Sequence, residues 1–438
     1  MNKMYSRFCG KNASIRRLIV PILTTIALLQ PTSVLADTYY IAKDAGGGGN
    51  GSEARPWDGV RAAIRSGSIK GGDTIIFKPG QYGRLKFHDV TPDSMVTFKT
   101  AGPGVHVTEL EVARSQNLSF DGFQVWPLKR RGDNQSLVRA GHSSRNIHFR
   151  NFDLRSGETT DYVNWSLGDW RERQISGFLL NGPDVSVTDS TLTGIGFGIA
   201  VTGKNARVER NTIYGFSGDG IRGLGDNTHI IGNHIKDCVK IDGNHDDGLQ
   251  SWTLGKGGKV GAGIQKDLHI IGNQIEEWTG DPKHPLICDL QGMLFGHRLH
   301  DLVITNNIVA VSAYHGISAA GITRGLIANN TLVNSRGPSS KAPWIGVLGG
   351  GSRQVTMANN ITPAFSIPGH MSSQIRENMN VQLIYSAREL VDPLNQNYDL
   401  KPGSGLIGRA IPELATTTDF YGNPRGAAPD IGALQHRP

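Results

Sequence analysis

Asp219, Asp246, Asp247 and His315 carry most of the chemistry legible in this chain of 438 residues. Asp219 precedes Gly220-Ile221-Arg222, and Asp246-Asp247 precedes Gly248-Leu249-Gln250. Gln291 precedes Gly292-Met293, and His315 precedes Gly316-Ile317-Ser318. The same frame, a variable residue followed by Gly and an apolar residue, occurs at Ser176 and Phe197. If the chain winds in superposed turns, the variable residues form a column, and the residue after each apolar one points outward. Asp219 and Asp247 would then lie one strand spacing apart, roughly 5 Å. Carboxylates that close repel, so one holds a proton or a cation sits with them. The stretch Asp242–Trp252 is the densest in polar side chains, and its acids fall on the column as they would not in an ordinary Asp- and Gly-rich turn.

Two reaction types use such a set. In β-elimination or epimerisation of a uronate, a base takes the proton beside the carboxylate and a cation disperses the developing charge. His315 or Lys240 is then the base and Arg222 the cation, while Asp219, Asp246 and Asp247 offer the oxygen ligands that Ca²⁺ takes. In hydrolysis Asp219 and Asp247 would be acid and nucleophile or base; a gap of about 5 Å suits a retaining pair better than an inverting one. Candidate substrate-binding residues are His245, Gln250, Trp252, Gln291, His297, Tyr314 and Ser318. Trp252 is a sugar-stacking platform or a ring packed under a loop.

The elements that position these residues follow from a second repeat. An apolar residue, two positions, Asn, one position and an apolar residue recur around Asn211, Asn233, Asn273, Asn306 and Asn330. A weaker copy centres on Ser190, and the successive steps are 21, 22, 40, 33 and 24 residues. Short apolar segments with Gly and Asn at the turns and no helical period read as strands. Strands returning at this interval without helices make a solenoid whose coils stack about 4.8 Å apart. The stacked Asn residues are expected to form an internal amide ladder. Extra residues after Asn233, Asp247 and Asn273 should wall a groove over the same coils.

The chain resembles the right-handed parallel β-helix proteins of the pectate-lyase superfamily. Tyr39-Tyr40-Ile41-Ala42 through Gly80-Gln81-Tyr82 resembles their first coil, with 56–64 as a short N-terminal capping helix. Leu400 to Ser404 and Asp419 to Gly432 resemble their usual ending. The resemblance implies an all-β, single-stranded right-handed parallel β-helix over 37–438, with regular coils at about 105–365 and an irregular cap at about 366–438. The order Asp219, Asp246-Asp247, His315-Gly316 is also similar to that of the polygalacturonases, hydrolases of this fold, with Tyr314 in place of a Gly. The function implied is a carbohydrate-active enzyme working on an acidic polysaccharide by elimination or epimerisation. Hydrolysis and a non-catalytic carbohydrate-binding or cell-surface role are the alternatives.

Composition agrees. Only 19% of the chain is charged, against roughly 25% in an average domain, which excludes a disordered chain or a long coiled coil. Lys3, Arg7, Lys11, Arg16 and Arg17 precede an apolar run from Leu18 to Leu29, with Val34 and Ala36 at the cleavage positions. This reads as a secretory signal peptide cut after Ala36, its apolar run being short of the about 20 residues that span a bilayer. Five of the 45 basic residues leave with it, so 40 face 38 acids. That balance lacks the basic footprint of a nucleic-acid binder. The expected protein is periplasmic or secreted, monomeric and without a membrane span. Cys238 and Cys288 remain, as a disulfide or as two thiols.

Overall fold

The computed structural model describes residues 36–132, 135–339, 341–349 and 351–437. The signal-peptide reading falls, apart from Ala36, outside the described residues. Among the described residues no helix is long and apolar enough to cross a membrane.

The strands stack in register into three parallel sheets of 15, 12 and 11 strands. Parallel pairing begins at Thr38–Ala42 and continues to Ile375–Asn378 and Val381–Gln382, so the coils extend past both ends of the regular region expected from the repeat. The capping helix spans Gly59–Arg65. It starts later than expected because Trp57–Asp58 pairs with Ile41–Ala42 as a strand.

The 11-stranded sheet carries the column of frames. Its apolar residues pair in the order Phe178, Ile199, Ile221, Leu249, Met293, Ile317 and Ile345, all buried inside the solenoid. The Gly of the frame is a requirement of coil stacking. Gly198 N–H donates to Asp219 O at 3.0 Å, and Gly220 N–H to Asp247 O at 2.9 Å. A Cβ on Gly220 would stand 2.6 Å from Gly248 O, closer than side-chain carbons approach a carbonyl. The frame therefore repeats because each turn lies against the carbonyl of the next.

The amide ladder runs through Asn211, Asn233, Asn273, Asn307, Asn330, Asn360 and Asn380. Each Nδ2 donates to the next Oδ1 at 2.8–3.0 Å. Asn306 is not a member, which corrects the sequence reading by one residue. It adopts φ of 56°, turning the chain, and Asn307 takes the inward position between Ile304 and Val309. The adjacent Asn306-Asn307 pair hides this in sequence. Asn306 instead holds the C-terminal tail: its Nδ2 donates to Thr418 O at 2.8 Å and its Oδ1 accepts from Arg425 Nη2 at 3.0 Å.

The tail lies along the flank of several coils. Tyr398 Oη donates to Glu276 at 2.8 Å, Thr416 N–H to Asn329 Oδ1 at 3.2 Å and Ile411 N–H to Asn359 Oδ1 at 2.8 Å. Leu400, Leu406, Ile431 and Leu434 pack there against Ile308, Val333 and Ile361.

Removing one rung tests the ladder. Asn273→Ala strips the buried Asn233 N–H and the Ile230 carbonyl of their partner. The expected cost is about 1–3 kcal/mol for each group left unsatisfied, read as a clear drop in thermal midpoint by circular dichroism.

Candidate active site

The frame register brings the column together. Ile221 pairs with Leu249, and Asp247 pairs with Gln291, which sets Asp219, Asp247 and Gln291 on successive coils. His315 follows at the start of its strand, where a register shift sets it opposite Trp344. Arg222, Gln250, Leu294 and Ser318 form the adjoining outward column.

Burial divides the site into two layers. Asp219, Asp246 and Asp247 are 2%, 2% and 0% exposed. The side chains of Arg222, Lys240 and His245 are 28%, 40% and 58% exposed. The acids are thus the floor, and cationic and imidazole groups face the solvent. Each acid holds one of them. Arg222 Nε donates to Asp219 Oδ2 at 2.5 Å, and the guanidinium lies 4.1 Å over the Phe197 ring and 5.4 Å from that of Trp252. Lys240 Nζ contacts Asp246 Oδ2 at 3.2 Å and also donates to Asn244 O. His245 Nδ1 lies 3.0 Å from Asp247 Oδ2. Asp219 Oδ1 accepts the Asp247 N–H at 3.2 Å, so both oxygens of Asp219 are engaged.

Protonation follows from this packing. Burial, then the charges of Asp219 and Asp246, push Asp247 up to about 9. Burial raises Asp246 to about 6 against the pull of Lys240. Asp219 is also raised by burial, with Arg222 opposing. Of the two relations expected for stacked carboxylates, a cation lies on Asp219 as Arg222, and burial favours the protonated form of Asp247. His315 is held down to about 4, chiefly by burial, so its ring is neutral at pH 7. Its Nδ1 lies 2.7 Å from Ser318 Oγ, and its ring centroid 4.1 Å from Tyr314 and 4.6 Å from Trp344.

From the sequence, Asp219, Asp246 and Asp247 are also expected to offer oxygen ligands to Ca²⁺. Among the described residues, the three metal-type ligand atoms that lie within 4.8 Å of one another belong to Cys238, Cys288 and Asp246, not to the three acids. Asp219 and Asp246 already face built-in cations. Asp247 Oδ1 and Gln291 Oε1 are buried acceptors without a partner. Cys238 and Cys288 form a disulfide.

Most of the expected residues converge, but His297 does not. It follows the strand Gln291–Gly296 at the end opposite Gln291, against the turn at Gly261. Gln250 lies beside Arg222, and Trp252 farther along the same strand, with its indole nitrogen buried and unpaired. Several contributors escaped the sequence reading. Phe197 looks inert in the column, yet it carries the Arg222 guanidinium. Trp344 completes the aromatic group around His315. The segment 156–175 also walls the site loop: Trp165 and Trp170 pack with Val239 and Ile241, and Arg171 donates to Ile241 O at 3.0 Å. Its signal was the spacing of 38 residues from Phe152 to Ser190, against 21 for the next coil.

The family model described as "Right handed beta helix region" matches residues 176–282. The fold is a right-handed parallel β-helix. Several solved structures align with most of the chain at low identity. Pectate lyase Pel9A is 16% identical with a TM-score of 0.45, over 92% of this chain and 96% of its own. The A-module of the Azotobacter vinelandii mannuronan C-5 epimerase AlgE6 is 12% identical with a TM-score of 0.42, over 73% of this chain and 93% of its own. A rhamnogalacturonan lyase is 13% identical with a TM-score of 0.40, over 89% of this chain and 99% of its own. No curated protein sequence matches this β-helix.

The proton on Asp247 has a consequence for stability. The native carboxyl keeps it up to about 9, whereas an unfolded one loses it in the ordinary carboxylate range. The contribution is therefore fully present below the unfolded value and is lost as pH rises through the folded one. Asp247→Asn should flatten the decline in stability over this window, seen as denaturant midpoints that converge between acidic and mildly alkaline buffer.

Proposed function

We propose that this protein is an exported enzyme that acts on an acidic polysaccharide by removing the C5 proton of a uronate residue, leading to β-elimination or epimerisation. The observation that carries the reading is the layering of the site: buried acids beneath half-buried Arg222 and Lys240 and exposed His245. A surface of this kind receives a carboxylated sugar, whereas exposed acids would repel it. Hydrolysis through Asp219 is not favoured, because both its oxygens are engaged and buried. The Cys238–Cys288 disulfide supports an oxidising compartment, periplasmic or extracellular.

His315, neutral at pH 7, is the base that takes the C5 proton. Arg222 and Lys240 meet the sugar carboxylate, onto which the negative charge spreads. The protonated Asp247 donates to His245 Nδ1, which leaves the hydrogen of that ring on Nε2, facing the groove. His245 gives its Nε2 proton to the sugar as its Nδ1 takes the proton of Asp247, which is left as a carboxylate. In elimination the C4–O4 bond breaks, the C4–C5 double bond forms and O4 receives the proton; in epimerisation the proton returns to C5 from the opposite face. Asp219 and Asp246 position Arg222 and Lys240. Gln250, Gln291, Tyr314 and Trp344 line the path of the chain.

The reading is tested with a panel of polyuronates. Absorbance near 230 nm reports elimination, and exchange of the C5 proton in deuterated water reports epimerisation. New reducing ends with neither signal would overturn it in favour of hydrolysis. His315→Ala should lower the rate by about 10²–10⁴-fold, the usual contribution of a general base. Activity should fall below about pH 4, as His315 gains a proton, and above about 9, as Asp247 loses its own. A chelator should leave the rate unchanged.

A further inference from the structure

A second basic site opens on the sheet that carries the active column. A cavity of about 600 Å³ lies between the capping helix Gly59–Arg65 and the strand Arg84–His88. Its lining includes the basic side chains of Lys43, Arg61, Arg65, Arg84, Lys86 and His88, with Asp58 as its one acid. Lys43 pairs with Asp44, and Arg84 with Glu111. Arg61, Arg65 and Lys86 are exposed and belong to none of the ion pairs found among the described residues. Excess positive charge in a concave, half-enclosed surface favours an anionic ligand.

The cavity is tied to the candidate active site by register. Lys86 pairs with Glu111, Glu111 with Arg139, Arg139 with Leu179, Leu179 with Ala200, and Ala200 with Arg222. Lys86 and Arg222 thus stand in one outward column, five strand spacings or roughly 24 Å apart. The two acids on the way, Glu109 and Glu111, are each paired with Arg84 and Arg139. Beyond them only Leu179 and Ala200 intervene, so no unpaired negative charge on the column interrupts the path.

We propose that the cavity under the capping helix is a distal anchoring site for the same anionic polysaccharide, so that binding strengthens once the chain is long enough to span both sites. This rests on the acidic-polymer reading of the active column. The distal charges hold the chain without touching the reacting sugar, so they act on affinity for long chains and leave the chemical step alone.

The test uses His315→Ala, which leaves the polymer uncut, with long polygalacturonate and polymannuronate chains and their tetrasaccharides as probes in titration calorimetry. Long chains should bind at least tenfold more tightly than tetrasaccharides. Adding Arg61→Ala and Lys86→Ala should abolish that preference and leave tetrasaccharide binding unchanged; Arg61→Lys with Lys86→Arg should restore it. Both positions are exposed, and circular dichroism checks that the variants fold. A preference that survives both alanines, or no binding of either polymer, overturns the proposal. Binding with the preference, but without elimination or C5 exchange by the wild-type protein, sustains the anchoring site and defeats the functional reading. Turnover without a chain-length preference does the reverse.

Discussion

The contact on which the site depends is between backbones. At Gly177, Gly198 and Gly220 the N–H meets the carbonyl of the variable residue one coil on, and the carbonyl of the next frame Gly lies so close that a Cβ would have no room. That contact sets the register, and the register stacks residues that are 28 positions apart in the chain, such as Asp219 and Asp247. Burial of those carboxyls follows, and from burial follow the proton on Asp247 and the demand for cations at Asp219 and Asp246. The ionic character of the groove is thus a consequence of how tightly the coils approach. It is not a property of the exposed residues alone.

The two layers also divide the labour. A carboxyl at the floor is out of reach of a ligand in the groove, but it fixes the orientation of the group above it. Asp247 with His245, Asp219 with Arg222 and Asp246 with Lys240 are three versions of one arrangement. The loop carrying Lys240 is pinned from the side as well. The disulfide, the Lys240 N–H on Leu286 O at 2.8 Å and the aromatic packing of Trp165 and Trp170 against Val239 and Ile241 all hold it.

Much of this is legible in the sequence, because a solenoid writes its geometry as periodicity. The frames aligned Asp219, Asp247, Gln291 and Arg222 correctly, and the ladder was right at Asn211, Asn233, Asn273 and Asn330. The errors have a common origin in places where period is locally ambiguous or absent. Two consecutive Asn residues allowed a slip to Asn306. A local alignment cannot tell which end of a strand a neighbour such as His297 adjoins. The depth of the acids was also invisible, since alternation separates inside from outside but says nothing of what a turn buries. Phe197 and Trp344 contribute through ring faces, for which the sequence carries no signature beyond their identity.

The C-terminal tail gives the molecule a property that its coils lack. In a stack where each turn touches only its neighbours, melting can begin at one end and unzip progressively. Here a single segment after the last rung reaches back to Glu276, Asn306, Asn329 and Asn359, on four different turns. Fraying of the terminal turn cannot pass that buttress without detaching it from all four. The half of the stack bearing His315 should therefore come apart as one block, which guards the register of the candidate site against loss by gradual wear from the end.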